Sequence, residues 1–338
     1  MTDRIRAALL MDPALTGFVL DGTAREALRE VCDIDLEDPA RAIADLRDPA
    51  TIEVLITGWG APPLGPAALD TLPSLRAVAH WGGGLAHLDA LDARGIAVST
   101  AKAANAVPVA EFTIAMITLA AKDVFWAARR YAAEQRFIDR EAEYGRTGLG
   151  DAAVGVIGAS AIGVLVIAEL RRRGITTLLH DPTIPADRAD ELGVELVDDL
   201  VDLARRSRIL TVHAPDIPAT RGTVSAEVLA ALPDDATLVN TARGILVDQD
   251  ALVAELTAGR LRAVLDVTEP DVLPIGHPLY TLANVFLTPH LAGSMGTELR
   301  ALGAHAVDEV MRFVRTGAFA DPVPSRPDPR RSAIEARA

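Results

Sequence analysis

A single cysteine, Cys32, stands in 338 residues. An internal disulfide is therefore impossible, a cysteine-built metal site lacks its ligands, and a reducing, cytoplasmic compartment is expected. Cys32 itself reads as a small buried hydrophobe. Positive charge is also in short supply. Against 47 Asp and Glu stand 33 Lys and Arg, a formal net charge of −14. Such a surface repels phosphate backbones and anionic headgroups, so neither nucleic acid nor membrane is expected as a bulk partner. A small anion held by one or two local arginines stays open. No apolar run approaches the roughly 20 residues of a membrane helix. The most apolar stretch, 107–126, is interrupted by Glu111, Lys122 and Asp123. The opening MTDRIRAALLMDP reads as a buried first strand, since its apolar part is short and lacks a leader's small-residue cleavage site.

Apolar residues are plentiful, at 50% of the chain, which suits two domain interiors better than one. Short β-type runs at 5–10, 52–57, 75–79 and 96–99 alternate with helical stretches at 24–31, 39–46, 66–71 and 87–93. Alternation of this kind requires crossovers and predicts a mainly parallel sheet in an open α/β unit. A long helix is expected over 107–126, with Pro108 in the first turn where proline is tolerated. A charged, irregular arm should cover 136–150. A second series follows, with strands at 152–157, 177–180, 194–197, 209–212, 236–240, 263–266 and 285–287. Helices between them are expected at 162–173, 200–205, 226–232 and 250–258. Six or more strands in this arrangement are what a full dinucleotide-binding fold needs. Residues 296–316 read as a final amphipathic helix, and the aperiodic, proline- and arginine-rich 323–338 as a disordered tail.

The segment AAVGVIGASAIG follows a strand pattern and opens a helix. Gly158-x-Ser160-x-x-Gly163 occupies the frame of the G-x-G-x-x-G fingerprint, with Ser160 in the middle place. The first glycine allows the tight turn, the middle position lets backbone approach a pyrophosphate, and the last lets helix and strand pack closely. The helix N-terminus offers N–H groups to the anion. About 20 residues on, Asp181 ends the next strand, where an acid accepts from ribose hydroxyls and favours NAD over NADP. Strand, turn, helix, strand and acid in one unit predict a nucleotide site. A rival is a hydrolase: Ser160…Asp266…His290 has the order of a triad. Its elbow, however, needs a small residue where Ile162 stands, and it leaves Asp181 and Arg243 without a purpose.

Three later segments carry polar residues at strand ends. In LVNTARGILVDQDAL, Asn240-Thr241 ends a strand and Arg243 follows, facing the ligand crevice with a planar fork suited to a carboxylate. In AVLDVTEP, Asp266 and Glu269 follow a strand; in VFLTPHLAGS, His290 does. These runs, the turn, the loop His80-Trp81-Gly82-Gly83-Gly84 and the segment Asn105–Glu111 closely resemble the D-isomer-specific 2-hydroxyacid dehydrogenases over nearly the whole chain.

The resemblance implies two Rossmann-like α/β domains with a cleft between them. One is a flavodoxin-like substrate domain, 1–104 with 291–322; the other is a doubly wound NAD-binding domain, 105–290. It implies reversible hydride transfer between NADH and a small 2-oxo acid. Arg243 would bind the acid's carboxylate, His290 would be the general acid and base, and Glu269 would hydrogen-bond His290 and raise its pKa. Asp266 would orient the nicotinamide amide, with His213 and Pro215 flanking the cofactor. Ala161, Ile162, Ala214, Thr220, Thr241, Ala242, His290 and Gly293 would complete that lining. Gly82, Gly83 and Gly84 would hold the substrate carboxylate, and Trp59 and Trp81 would rim the pocket, favouring a small or apolar acid over a phosphorylated one. A homodimer is also implied. Departures from the family pattern are Ser160, Ala161 in place of the common arginine, and Leu85-Ala86-His87-Leu88-Asp89 after the glycine loop. A catalytically silent NAD sensor on the same scaffold is the alternative.

Overall fold

A computed structural model of the chain describes residues 4–145 and 147–323. They fall into two compact units, 4–106 with 294–323 and 107–293. The expected tail lies outside the described residues from 324 onward. Before it, Val323 donates to the Val98 carbonyl at 2.7 Å and Pro322 bridges Ser99.

In the first unit, strands β1 (Ile5–Leu10), β2 (Cys32–Asp33), β3 (Val54–Thr57), β4 (Ala77–His80) and β5 (Ala97–Thr100) form a sheet in the order β2-β1-β3-β4-β5. All its pairings are parallel. This is the flavodoxin-like order. Every residue of β3 and β4 is buried, as expected of parallel strands covered on both faces. The helix Leu299–Thr316 returns to this sheet, packing Leu302, Ala306, Val310 and Phe313 with Val19, Leu28, Ala77 and Ala79. Gly303 permits that approach, since a Cβ there would lie 1.9 Å from the Val19 carbonyl oxygen. Cys32 is buried in the same core, which pushes its thiol up to about 11 and leaves it unreactive.

The second unit holds β6 (Ala153–Ile157), β7 (Thr176–His180), β8 (Glu195–Leu196), β9 (Ser207–Val212), β10 (Thr237–Asn240), β11 (Arg262–Leu265) and β12 (Val285–Leu287). Their order is β12-β11-β10-β9-β6-β7-β8, again all parallel. It is a doubly wound sheet whose order reverses between β6 and β9. Loops leaving those two strands diverge, and that is where such sheets take ligands. Apolar clusters cover both faces, Leu210, Leu238 and Ala263 pointing one way and Val154, Val239 and Val264 the other.

Several expectations are corrected. The long helix runs Lys102–Ala121 and carries Pro108 in its interior, because the alanine-rich residues before the proline extend it upstream. Lys122 and Asp123, taken as interruptions, lie beyond its end, where Asp123 turns left-handed at φ 54°. By length and composition this 20-residue helix could cross a membrane, contrary to the sequence reading. In the structure its Ile114, Ile117 and Ala120 join the core with Val154 and Ile167. Residues 136–150 are not wholly irregular, since Asp139 caps a helix at Arg140–Tyr144. The helix expected at 39–46 is only a 3-10 turn, Ile43–Asp45, because Ala40 bridges Leu10. The helix Ala186–Leu192 and strand β2 were not expected.

Candidate active site

The turn after β6 is built by glycine where nothing larger fits. Gly158 has φ +91°, and a Cβ there would lie 2.7 Å from the Ala214 nitrogen. A Cβ on Gly163 would lie 2.1 Å from the Gly158 carbonyl oxygen. The two glycines thus bring the turn against the end of β9 and the helix Ala161–Arg172 against the turn. Ser160 holds an ordinary φ of −63° and caps this helix, its Oγ accepting from Gly163 N–H at 3.3 Å. At that angle the Ser160 Cβ is accommodated in the turn. First-turn N–H groups of Ala161 and Ile162 have no carbonyl acceptor within their helix. This cradle, with N–H groups at a helix start and glycine at its two closest backbone approaches, fits a pyrophosphate.

Asp181 lies half-buried at the end of β7, and its carboxylate closes the turn. One oxygen accepts from Ala159 N–H at 2.8 Å; the other accepts from the Thr183 N–H at 2.9 Å and hydroxyl at 2.6 Å. His213, at the end of β9, is buried, with Nε2 3.0 Å from the Thr211 hydroxyl. Burial pushes it down to about 3, so the ring is neutral. Ala214 is buried beside it and Pro215 exposed. Thr220 is buried with its hydroxyl within the same loop, accepting from Ile217 N–H at 3.2 Å. Thr241 is buried against the Thr113 hydroxyl at 2.7 Å.

The three expected catalytic side chains leave the carboxyl ends of adjacent strands β10, β11 and β12, and all three are exposed. Asn240 shapes the Arg243 turn, its side chain donating to the Arg243 carbonyl at 2.8 Å and accepting from Ala242 N–H at 3.0 Å. Among the described residues Arg243 forms no ion pair; its guanidinium donates to the Ala242 carbonyl at 2.6 Å. Gly244 seats this turn on the next, since a Cβ there would lie 2.1 Å from the Thr268 carbonyl carbon. Gln249 then clamps Glu269 at the backbone, donating to its carbonyl at 2.7 Å and accepting its N–H at 3.0 Å.

Two expectations about this cluster change. Glu269 makes no hydrogen bond or ion pair to His290; the carboxylate near the imidazole is that of Asp271, 3.9 Å from Nδ1. The Gln249 clamp fixes only the Glu269 main chain, leaving its carboxylate free of the ring. Asp266, expected to face the nicotinamide amide, is 2% exposed. Its carboxylate accepts from the Thr288 hydroxyl at 2.6 Å, Leu291 N–H at 2.8 Å and Ala292 N–H at 2.9 Å. The His290 N–H donates to the Asp266 carbonyl at 3.0 Å, and His290 itself sits left-handed at φ 56°. Asp266 therefore holds the His290 loop. Asn240, Gln249, Asp271 and Thr288 were missed as contributors. For Asn240 and Thr288 a short polar side chain at a strand end was the signal, and it does not name a partner; Gln249 opens a helix and Asp271 lies in a loop, where no local pattern marks them.

In the first unit the loops leaving β3 and β4 meet. Trp81 is 0% exposed, so the expectation that it rims a pocket is corrected. Its indole fills the space over Gly58, where a Cβ would lie 1.8 Å from Cε2. Trp59 is 41% exposed and meets Trp81 edge-on, with centroids 5.1 Å apart. Gly82 is buried, Gly83 half-buried and Gly84 exposed. Beneath them His80 is buried with Nδ1 2.9 Å from the Thr57 hydroxyl, and burial pushes it down to about 4.

A parallel α/β sheet with a glycine turn and acid at its switch point defines a Rossmann-type dinucleotide-binding protein. The family model for D-isomer specific 2-hydroxyacid dehydrogenase, NAD binding domain, matches residues 114–292. D-3-phosphoglycerate dehydrogenase of Methanocaldococcus jannaschii is 34% identical over 267 residues, 77% of this chain and 49% of that protein. Glyoxylate reductase of Korarchaeum cryptofilum is 33% identical over 266 residues, 75% of this chain and 77% of that protein. The apo structure of D-mandelate dehydrogenase from Rhodotorula graminis matches with a TM-score of 0.78 at 25% identity, over 95% of this chain and 98% of that one. The chain belongs to the D-isomer-specific 2-hydroxyacid dehydrogenase family and carries its nicotinamide-dinucleotide-binding domain. It spans about half the length of the D-3-phosphoglycerate dehydrogenase it matches, 49%.

Proposed function

We propose that this chain is an NAD-dependent D-2-hydroxyacid dehydrogenase, moving a hydride reversibly between NADH and a 2-oxo acid. One observation carries the reading. An arginine with no ion pair among the described residues, an exposed histidine and exposed carboxylates leave three adjacent strand ends, each turn held by a dedicated polar side chain. Such pre-organisation is what positioning chemistry requires. Arg243 takes the substrate carboxylate through its planar fork and draws electron density from the neighbouring carbonyl. The His290 imidazolium gives its proton to the carbonyl oxygen on reduction, and neutral His290 takes it back on oxidation. Asp271, or Glu269 on the same turn, pairs with the charged ring. The reduced nicotinamide, when bound, supplies the hydride to the carbonyl carbon.

Gly158, Gly163 and the first-turn N–H groups hold the pyrophosphate. Both Asp181 oxygens keep acceptor capacity for ribose hydroxyls, and that carboxylate disfavours a 2′-phosphate. The N–H groups of Gly83 and Gly84 assist with the substrate carboxylate. The lone buried cysteine fits a reducing cytoplasm, and the family resemblance supports a homodimer. The test is NADH oxidation across a panel of 2-oxo acids with the His290→Ala variant alongside. Turnover should fall by at least about a thousandfold in the variant, while NADH affinity, read by fluorescence, changes little. NADH binding without turnover on any acid would overturn the reading.

A further inference from the structure

We propose that the acid reduced by this enzyme carries an apolar or aromatic side chain and no second anionic group, its side chain resting on Trp59. The inference deepens the 2-oxo acid reading above and rests on it.

In the first unit's sheet the carboxyl ends of β1, β3, β4 and β5 lead into 11–15, 58–65, 81–87 and 101–105. These segments contain three ionisable side chains, Asp12, His87 and Lys102. Arg41, the cation that reaches this edge from a neighbouring loop, is 3.4 Å from Asp12 and paired with it. His80, directly under the glycine loop, is kept uncharged by burial. A phosphoryl group brings close to two negative charges and three strong acceptor oxygens, and its binding calls for a cluster of arginines. A lone lysine at a helix start does not supply one.

The same edge does offer a fixed aromatic surface. The Trp59 carbonyl accepts the Asp12 N–H at 2.9 Å, and its ring is propped edge-on against the buried Trp81. A Cβ on Gly82 would lie 3.2 Å from Trp59 Nε1, so the indole stands over the loop that receives the substrate carboxylate. An acid seated on Gly83 and Gly84 presents its side chain to this ring. Because the ring is already held, little side-chain freedom is lost when an apolar group packs on it.

The experiment compares kcat/KM with NADH for phenylpyruvate, 4-methyl-2-oxopentanoate, glyoxylate and 3-phosphohydroxypyruvate, in wild type, Trp59→Ala and Trp59→Phe. The better apolar acid should exceed phosphohydroxypyruvate by at least about a hundredfold. Trp59→Ala should lower the ratio of phenylpyruvate to glyoxylate about tenfold, chiefly through KM, and Trp59→Phe should restore most of it. Glyoxylate has no side chain, so the ratio reports the ring contact and not a general loss of folding. A preference for phosphohydroxypyruvate, or an equal loss on all acids in Trp59→Ala, overturns the inference while the dehydrogenase reading stands. No reduction of any acid by wild type, with NADH bound, means that the dehydrogenase reading itself has failed.

Discussion

The two sheets share an all-parallel plan, yet the turns at their carboxyl ends are held by different forces. In the second unit, carboxylates and amides do the holding: Asp181 on the Gly158 turn, Asn240 on the Arg243 turn, Asp266 on the His290 loop. In the first unit, packing does it: Trp81 over Gly58, Trp59 against Trp81, and the neutral His80 under Gly82. Charge-assisted hydrogen bonds are directional and fix a loop to a fraction of an ångström. Aromatic packing fixes a surface and leaves it apolar. The first arrangement holds polar groups at fixed positions; the second presents a fixed apolar surface.

The strongest way to break the comparison is Asp266→Asn. One of three loop donors would then face an amide nitrogen, at a cost of about 2 kcal/mol. The His290 loop would shift, and kcat should fall at least about a hundredfold, with NADH affinity less affected. Titrating NADH by fluorescence and measuring kcat at saturation separate the two. If affinity collapses and kcat survives, Asp266 serves the cofactor and not the loop. Next comes Gly58→Ala in the packed unit. Its new Cβ would overlap Trp81, and overpacking of this kind costs about 1–3 kcal/mol. Calorimetry should show the loss. An unchanged melting temperature would mean that Trp81 is not wedged as described.

The smallest effect is one the two units share. His80 is held down to about 4 and His213 to about 3, both by burial, against an ordinary value of 6.5. Below 6.5 the unfolded chain takes up protons that the folded chain refuses. Stability is therefore fully present above that pH and is lost progressively as pH falls toward 4 and 3. Urea midpoints at pH 7 and pH 5 should differ accordingly, and His80→Gln and His213→Gln should each flatten the slope. Identical slopes in all three proteins would show that other groups govern acid sensitivity.

Alternating apolar runs and punctuating glycines were enough to read every strand of the two sheets but the two-residue β2, because parallel strands buried on two faces need continuous apolar segments. The Gly158…Gly163 turn, Asp181 and the strand-end positions of Arg243, Glu269 and His290 were legible for the same local reason. Helix ends were not. Pro108 marked a helix start in the sequence, but the alanines before it carried the helix on.

The alternation of elements and the residue types at strand ends follow from local pattern alone, since backbone sterics and burial act within a few neighbours. Which polar group meets which is set by long-range packing. Asp266 lies 22 to 26 positions from its partners in the His290 loop, and Gln249 reaches Glu269 across 20. Of two tryptophans on similar loops, the one opposite Gly58 is buried and the other exposed. Pairings of that kind depend on how distant turns stack once the sheet has formed, and spacing along the chain does not encode the stacking.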